Sequence, residues 1–461
     1  MGVLILLYRE GSVNMQESIN HKDIEGFGNS FDSKAEHIVA MNAVVANGIN
    51  QSAVNVYRPR EVRHTFSVSL PNVGDITNQK QSGRCWMFAA LNVMRIETME
   101  KLNLKTFELS QNYPLFWDKL EKSNWFLESI IETKDEPVDG RLVSFLLESP
   151  MGDGGQWDMF VNLVEKYGLV PKEAMPESIA SSATRELDKY LTTKLREFAC
   201  ILRTAAKKNG KTEGELREIK GDMLQTVYRM LCIALGKPPV SFTFEVRDKD
   251  DKFIRAEHIT PVEFYKRYVG MNLDDYVSLI NAPTDDKPYG KTYTVQYLGN
   301  VKGGRDIRYL NLPPSDLKDL AIKQLRDGKA VWFGSDVGQF SDKKSGMMDL
   351  EALDVKDLFD TNFPLSKAQR LDYGESRMTH AMVLTGVNID GEGKPDRWRV
   401  ENSWGDEPGQ KGFFVMTDRW FDEYTYQVVV NKKYLTEEQK TMLSGKPVVL
   451  KPWDPMGSLA C

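Results

Sequence analysis

The stretch Asn78-Gln79-Lys80-Gln81-Ser82-Gly83-Arg84-Cys85-Trp86 decides the fold of this 461-residue chain. It is a polar loop that turns into a helix at Cys85, because apolar residues then recur at helical spacing from Met87 to Leu102. A thiol at such a junction faces the free N–H groups of the first helical turn and the positive end of the helix dipole, which favour the thiolate. The alternative is a small, buried and chemically inert cysteine.

A nucleophilic cysteine needs a base within hydrogen-bonding reach, and the sequence has only five histidines. His380 opens a strand-forming run that ends at Val387, and a second run from Trp398 to Asn402 follows a turn-rich segment. Because the midpoint of 380 and 402 falls inside that turn, a hairpin would place His380 opposite Asn402. An asparagine carbonyl can fix the tautomer of an imidazole. A hairpin that carries an ordinary histidine is the alternative.

The residues around Cys85 resemble the papain-like cysteine peptidases, whose local signature is C-G-[SA]-C-[WY]. Gly83, Cys85 and Trp86 match that signature. Ser82 takes the place of a cysteine that forms a disulfide in secreted members, which agrees with a reducing compartment. Arg84 takes the place of the small residue and favours one branch of the superfamily over the secreted enzymes.

The resemblance implies a role for each of five residues. Gln79 would donate to the oxyanion, and Cys85 would attack the carbonyl carbon. His380 would carry the proton, and Asn402 would orient the imidazole. Trp404, in the run Asn402-Ser403-Trp404-Gly405, would shield the histidine–asparagine contact from water.

The spacing between nucleophile and base narrows the resemblance. Cys85 and His380 are 295 positions apart, whereas the papain pattern has about 130–150. The extra residues would come from an inserted block at 171–281 and from enlarged loops. This insertion and the motifs Gly-Asp-Gly-Gly-Gln-Trp, Met-Thr-His-Ala-Met and Trp-Asp-Pro-Met-Gly-Ser-Leu-Ala resemble the bleomycin hydrolase and aminopeptidase C family.

The last fifteen residues are expected to form an extended arm. They contain three prolines and no helical periodicity, and Trp453, Met456 and Leu459 favour docking on the protein itself because they are costly to leave in water. The resemblance implies that the arm lies in the cleft, where a terminal carboxylate at Ala460 or Cys461 meets the free α-amino group of the substrate. The resemblance also implies that the backbone of the paired glycines Gly154 and Gly155 lies against the bound peptide.

The order of the elements predicts an α+β fold, because helices dominate the first half and strands the second. The resemblance implies a papain-like fold with a helical left part, a β-barrel-like right part and a large helical insertion. A hairpin at 241–247 and 253–258 and helices over 261–268 and 273–280 would close the insertion. We divide the chain into a non-native or disordered leader (1–14), the helical half with an N-terminal extension (15–170), the insertion (171–281), the strand-rich half (282–446) and the C-terminal arm (447–461).

Composition limits the other functions. The formal charge of −6 disfavours nucleic acid as a partner, and a local excess of basic residues over 184–236 is expected to be a solvated helix face. The sequence contains no apolar stretch of about 18 residues for a membrane span. It also has no H-E-x-x-H metal motif, and no P-loop, since Asp285 stands at the required glycine. Four scattered cysteines indicate a reducing compartment, and we expect a cytoplasmic enzyme without cofactor or metal.

The predicted function is that of a cysteine aminopeptidase, acting on peptides with a free N-terminus and, by resemblance, on the bleomycin amide. The resemblance also implies a homohexamer. Two alternatives stay open at this point: a papain-like endopeptidase, which shares the chemistry and lacks the arm's restriction, and a non-catalytic papain-like binding protein.

Overall fold

The computed structural model describes residues 17–460. The expectations for the leader and for Cys461 lie outside the described residues. Two compact units form: residues 17–58 with Glu351–Pro364, and Pro59–Leu350 with residues 365–460. Both helices and strands are present and the strands concentrate in the second half, so the α+β prediction is confirmed. The finer division at residues 170, 281 and 446 stays a prediction.

Helices dominate the first half of the chain. The α-helices are α1 (His21–Asp32), α2 (Ala35–Asn47), α3 (Ile49–Ala53), α4 (Arg58–Glu61), α5 (Cys85–Lys101), α6 (Asn112–Glu132), α7 (Arg141–Glu148), α8 (Trp157–Tyr167), α9 (Ile179–Ser182), α10 (Arg185–Asn209), α11 (Glu213–Leu235), α12 (Pro261–Phe264), α13 (Pro314–Arg326), α14 (Val355–Phe359), α15 (Lys367–Asp372), α16 (Asp418–Tyr424) and α17 (Glu437–Ser444). Short 3-10 turns occur at Lys172–Ala174, Leu273–Asp275, Lys432–Tyr434 and Pro455–Ala460, and a π turn at Tyr265–Val269.

The strands build one large mixed sheet and one separate hairpin. They are β1 (Val68–Ser69), β2 (Phe242–Arg247), β3 (Phe253–Ile259), β4 (Tyr276–Ile280), β5 (Thr292–Val295), β6 (Tyr309–Asn311), β7 (Val331–Ser335), β8 (Ser341–Asp342), β9 (Met347–Met348), β10 (His380–Ile389), β11 (Pro395–Glu401), β12 (Phe413–Thr417), β13 (Thr425–Asn431) and β14 (Val448–Leu450). The sheet order is β14-β5-β6-β4-β13-β7-β10-β11-β12-β9-β8, with β1 also paired to β10, and β2 pairs with β3. Strand β10 therefore lies inside the sheet.

The helix predicted over 273–280 is wrong. Only Leu273–Asp275 form a 3-10 turn, and Tyr276–Ile280 are strand β4, which pairs with β6 and β13. Four of the five residues of β4 are buried. A strand covered on both faces is a continuous apolar run, which periodicity does not distinguish from a buried helix.

The inserted helices follow their local sequence signals. Helix α10 ends at Gly210, whose φ of 60° lies in the left-handed region that closes many helices. Helix α11 then begins with a capping box in which Thr212 and Glu215 exchange hydrogen bonds. The predicted hairpin is confirmed as β2 and β3.

The core that supports the site lies between α5, α8 and the sheet. Trp86, Trp157 and Trp332 are fully buried. The indole N–H of Trp332 on β7 donates to the backbone oxygen of Trp86 at 3.0 Å, and the rings of Trp157 and Trp332 lie 6.2 Å apart. This packing fixes the start of α5 against the sheet. None of the helices between residues 17 and 460 combines the length and apolar character needed to cross a bilayer.

Candidate active site

Helix α5 begins at Cys85, as the sequence predicts. The backbone N–H groups of Cys85, Trp86 and Ala381 donate toward its sulfur. Because Ala381 follows His380 directly in β10, this contact brings the thiol to the start of that strand. Burial raises the pKa of the thiol to about 11, although these backbone donors favour the thiolate as expected and lower it.

His380 and Asn402 meet as the hairpin predicts, with Nε2 and Oδ1 2.9 Å apart. The register differs from the expected one, because Val383 pairs with Glu401 and the two site residues are therefore diagonal neighbours rather than directly opposite. The shift is an even number of residues, so both side chains stay on the same face of the hairpin. For that reason His380 and Asn402 still meet, although the predicted register of the hairpin was wrong.

Asn402 fixes which ring nitrogen of His380 carries hydrogen. Its Oδ1 also accepts the backbone N–H of Ser403 at 2.8 Å, so the amide carbonyl faces the ring and Nε2 must donate to it. Nδ1 is then the ring nitrogen that can accept a proton. Burial lowers the pKa of His380 to about 4, although the contact with Asn402 opposes that shift.

Trp404 covers the histidine–asparagine pair. Its ring lies 4.8 Å from the His380 ring, and Phe414 packs edge-on against it at 5.8 Å. The Lys343 ammonium lies 4.9 Å above the same indole. The structure thus places Trp404 against His380, and the shielding role that the resemblance implies stays a prediction.

Gln79 is held beside the same segment. Its backbone N–H donates to the Ser403 oxygen at 2.9 Å, and its side-chain Nε2 donates to the Ser82 oxygen at 2.7 Å. The side chain is buried, and Oε1 has no hydrogen-bond partner among the described residues. One amide hydrogen is engaged with Ser82, and a second hydrogen on Nε2 can serve another acceptor.

The two departures from the papain signature form one polar contact. Arg84 is fully buried and makes a bidentate ion pair with Glu177, at 3.0 and 2.7 Å. Its Nε donates to the Ser82 hydroxyl at 2.9 Å, and that hydroxyl donates to the backbone oxygen of Gln79 at 2.7 Å. No local pattern points to Glu177, which lies 93 positions after Arg84.

The paired glycines lie against the nucleophile's helix. A Cβ on Gly155 would stand 2.5 Å from the Trp86 indole, so only glycine allows this approach. The Gly154 oxygen accepts from Lys122 at 2.5 Å, and the Asp153 oxygen accepts from the Trp86 indole at 2.7 Å. The motif predicted the glycines, whereas Asp153 and Lys122 were missed.

The arm docks on the larger unit. Strand β14 adds in parallel to β5, and the Trp453 ring lies 3.8 Å from the Arg141 guanidinium. Met456 and Leu459 are buried as predicted. The expectation of a wholly extended arm is wrong, because Pro455–Ala460 form a 3-10 turn.

Polar contacts hold this last turn near the base. Asp454 pairs with the buried Lys287 at 3.1 Å and accepts the Met456 N–H at 2.9 Å, which closes the turn locally. The Ser458 hydroxyl donates to the Met378 oxygen at 2.8 Å, two residues before His380. The described arm therefore ends close to the strand that carries the base.

Within residues 17–460, histidine, cysteine and carboxylate side chains form no group of three or more that could hold a metal ion.

Known proteins are similar to this chain over almost its whole length. The model of the Peptidase C1-like family matches residues 18–457. Aminopeptidase C of Streptococcus thermophilus is 52% identical over 431 residues, which cover 93% of this chain and 96% of the relative. Bleomycin hydrolase of Homo sapiens is 43% identical over 450 residues, covering 96% and 99%. The crystal structure of pepW from Lactobacillus rhamnosis HN001 is similar, with a TM-score of 0.94, 51% identity and coverage of 96% and 99%.

Proposed function

Because the chain belongs to the Peptidase C1-like family and is a papain-like cysteine aminopeptidase, we propose that Cys85, His380 and Asn402 form its catalytic triad. The observation that carries this proposal is the meeting of Cys85 with the start of β10, where His380 contacts Asn402 at 2.9 Å. This combination of a thiol, an imidazole and an orienting amide favours a peptidase over a non-catalytic binding protein, because binding alone does not require it.

The reaction would proceed through a thioester. Cys85 Sγ attacks the carbonyl carbon of the peptide bond while its proton passes to Nδ1 of His380. The carbon–nitrogen bond then breaks, and His380 returns the proton to the departing amine. Water, deprotonated by the same imidazole, hydrolyses the thioester and regenerates the thiol.

Burial couples the two charges. The raised pKa of Cys85 and the lowered pKa of His380 mean that neither the thiolate nor the imidazolium is stable alone in this site. Proton transfer from sulfur to nitrogen creates both charges together, and each then stabilises the other. The oxyanion would be held by the Cys85 N–H and by Nε2 of Gln79, where a lost donor costs about 10²–10³ in kcat.

The arm would restrict the enzyme to removing N-terminal residues. A carboxylate at the end of the arm, on Ala460 or Cys461, would pair with the free α-amino group of a substrate. The docking of Ser458 on Met378 supports this position for the arm. Gly154 and Gly155 would line the peptide, since their backbone lies beside the nucleophile's helix.

Matched peptides with free and acetylated N-termini test this function. We expect release of one residue at a time from the free peptide only, with complete loss after treatment with iodoacetamide and in Cys85→Ala. Cleavage that resists alkylation would contradict the nucleophile. Equal cleavage of both peptides would support an endopeptidase instead.

Deletion of residues 457–461 tests the arm, and it should weaken aminopeptidase activity and admit internal cleavage. Cys461 either supplies the carboxylate or is removed by Cys85. If the active enzyme and Cys85→Ala differ in intact mass only by the sulfur atom that the substitution removes, self-trimming is excluded.

Assembly as a homohexamer is part of the proposal. Ile179, Tyr190 and Ile233 in the segment 171–281 expose large apolar surfaces that a neighbouring copy could cover. Sedimentation should give about six times the chain mass of 52.5 kDa. A species at the mass of one chain would contradict it.

We also propose that the protein is cytoplasmic and that it hydrolyses the bleomycin amide. The described cysteines Cys85, Cys200 and Cys232 are all unpaired, which supports a cytoplasmic location. The 43% identity with bleomycin hydrolase supports a test of bleomycin as a substrate, with deamidation followed by mass spectrometry. Peptides with a free N-terminus are the proposed partners, and the acidic net charge still disfavours nucleic acid.

A further inference from the structure

Asp153 joins the nucleophile's loop to the glycine loop, residues 152–155. One carboxylate oxygen accepts the Gly83 N–H at 2.6 Å and also the Thr184 hydroxyl. The other oxygen accepts the Lys119 ammonium at 2.7 Å. The backbone oxygen of Asp153 accepts the Trp86 indole N–H at 2.7 Å. One residue thus fixes the backbone two positions before Cys85 and the side chain one position after it.

Two buried lysines of α6 also hold the glycine loop. Lys119 donates to the Gly152 oxygen at 3.0 Å, and Lys122 donates to the Gly152 and Gly154 oxygens at 3.1 and 2.5 Å. Lys119 also pairs with Asp188 of α10 at 2.5 Å. The glycine loop is therefore held by ammonium groups at its carbonyls and by Asp153 at its centre.

We propose that Asp153 is a positioning residue for the peptidase reaction, which aligns Cys85 with the peptide-binding glycines, and that Lys119 cancels the charge of Asp153 toward the thiol. This inference rests on the proposed role of Cys85 as the nucleophile. A carboxylate beside a thiolate opposes the reaction unless a cation stands next to it. The buried Lys119 supplies that cation at a position where little solvent screens the carboxylate charge.

The charges around the thiol are consistent with this balance. Asp153 raises the pKa of Cys85 through its charge, in addition to the larger effect of burial. Although burial of Asp153 opposes ionisation, the Lys119 ammonium holds the pKa of that carboxyl well below its usual range. The other charged groups nearby are His380 on β10, the pair Lys122–Asp118 on α6, Asp188 on α10 and the pair Arg84–Glu177.

The experiment compares Asp153→Asn with the wild-type enzyme by two measurements. The first is kcat/KM for a peptide with a free N-terminus, and the second is the pH midpoint of alkylation of Cys85 by iodoacetamide. Asparagine keeps the shape but removes the charge, and it has one accepting oxygen instead of two, so it leaves either Lys119 or the pair Gly83 and Thr184 without an acceptor on this side chain. We expect kcat/KM to fall about tenfold or more as the loops lose alignment, while the alkylation midpoint moves to lower pH because Lys119 is no longer balanced.

Thr184→Val is the second variant and keeps the charge. It removes one donor from the Asp153 carboxylate, so the field of that carboxylate at Cys85 grows and the alkylation midpoint should move to higher pH. Asp188→Asn is the matched control, because Asp188 contacts Lys119 and the Asp153 carboxyl but not Gly83. It removes a charge beside the same lysine and leaves the Gly83 contact intact, so both of its changes should be smaller than those of Asp153→Asn. A general loosening of the fold would move the midpoints of Asp153→Asn and Thr184→Val in the same direction, and that result would overturn the proposal.

Unchanged kcat/KM in Asp153→Asn would also overturn it. If Asp153→Asn does not fold, as judged by circular dichroism and thermal unfolding, the direction of the Thr184→Val midpoint decides. The wild-type enzyme separates the two proposals: hydrolysis that survives complete alkylation refutes Cys85 as the nucleophile, whatever the variants do.

Discussion

Cys85 and His380 lie in two regions that are held in place by different kinds of contact. We call them the helical wall, formed by α5, α6, α8 and the loops 78–84 and 152–155, and the strand wall, formed by β7, β10 and β11. On the helical wall, buried charges hold the nucleophile's loop: Arg84 with Glu177, and Asp153 with Lys119. On the strand wall, a backbone ladder between β7, β10 and β11 places His380, and uncharged groups, Asn402 and Trp404, surround it. A loop has few backbone hydrogen bonds of its own, so side chains must fix it, whereas a strand inside a sheet is fixed by its neighbours.

A buried ion pair is one of the contacts that connect the walls. Arg95 on α5, the helix that begins at Cys85, meets Glu401 at 2.6 Å, and Glu401 directly precedes Asn402. Both side chains are almost completely buried. The relative position of nucleophile and base therefore depends in part on a buried charged contact, although the groups next to His380 itself, Asn402 and Trp404, are uncharged.

Glu401→Gln should have the largest effect, because it leaves the Arg95 charge buried without a counter-ion. Removal of one partner of a buried pair costs about 3–5 kcal/mol of the free energy of unfolding. Urea denaturation of the full chain measures it, and Arg95→Met/Glu401→Leu, which removes both charges, should recover part of the loss. A cost below about 1 kcal/mol would show that this ion pair does not hold the walls together.

Asn402→Ala tests the uncharged contact between Asn402 and His380. The Nε2 hydrogen of His380 would lose its acceptor, and a lost buried hydrogen bond of about 1–3 kcal/mol corresponds to a decrease of about 10- to 100-fold in kcat. We expect KM to change little, because Asn402 orients the base rather than the peptide. Asn388→Ala is the control on the same hairpin, where the side chain contacts Asp396 at the surface. An equal effect of both variants would mean that the hairpin, and not the contact with His380, was damaged.

Asp158→Asn tests a buried charge of the helical wall that is bound differently. Its carboxylate accepts the backbone N–H of Arg308 at 3.1 Å, and burial raises its pKa from 3.8 to about 6. The folded protein therefore holds this proton more tightly than the unfolded chain, and stability is lost as the pH rises from about 4 to about 6.

Asparagine keeps the acceptor for Arg308 and removes the charge. Asp158→Asn should therefore stabilise the protein at pH 7, on the order of 1–2 kcal/mol, and change little at pH 4. Thermal unfolding at both pH values measures this difference. A loss of stability at pH 7 would place Asp158 with the paired charges of the same wall.

Lys433→Ala should have the smallest effect. The ammonium pairs with Asp327 at 3.0 Å, and both side chains are more than half exposed. Exposed pairs contribute about 0–1 kcal/mol, so the variant should unfold at nearly the wild-type urea concentration. If Lys433→Ala costs as much stability as Glu401→Gln, burial does not explain the importance of the Arg95–Glu401 pair.

The sequence by itself determined the features that local patterns encode. Helical spacing placed the start of α5 at Cys85, and two strand-forming runs around a turn brought His380 to Asn402. The paired glycines were found by their motif. The register error of the hairpin was harmless because side chains alternate with a period of two.

Only the tertiary structure decided which charges meet. The partners of Arg84, Asp153 and Arg95 lie 93, 34 and 306 positions away along the chain. Periodicity describes which face of an element is buried and carries no information about a partner on a distant element. The same limit explains strand β4, whose burial on both faces removed the alternation that identifies a strand.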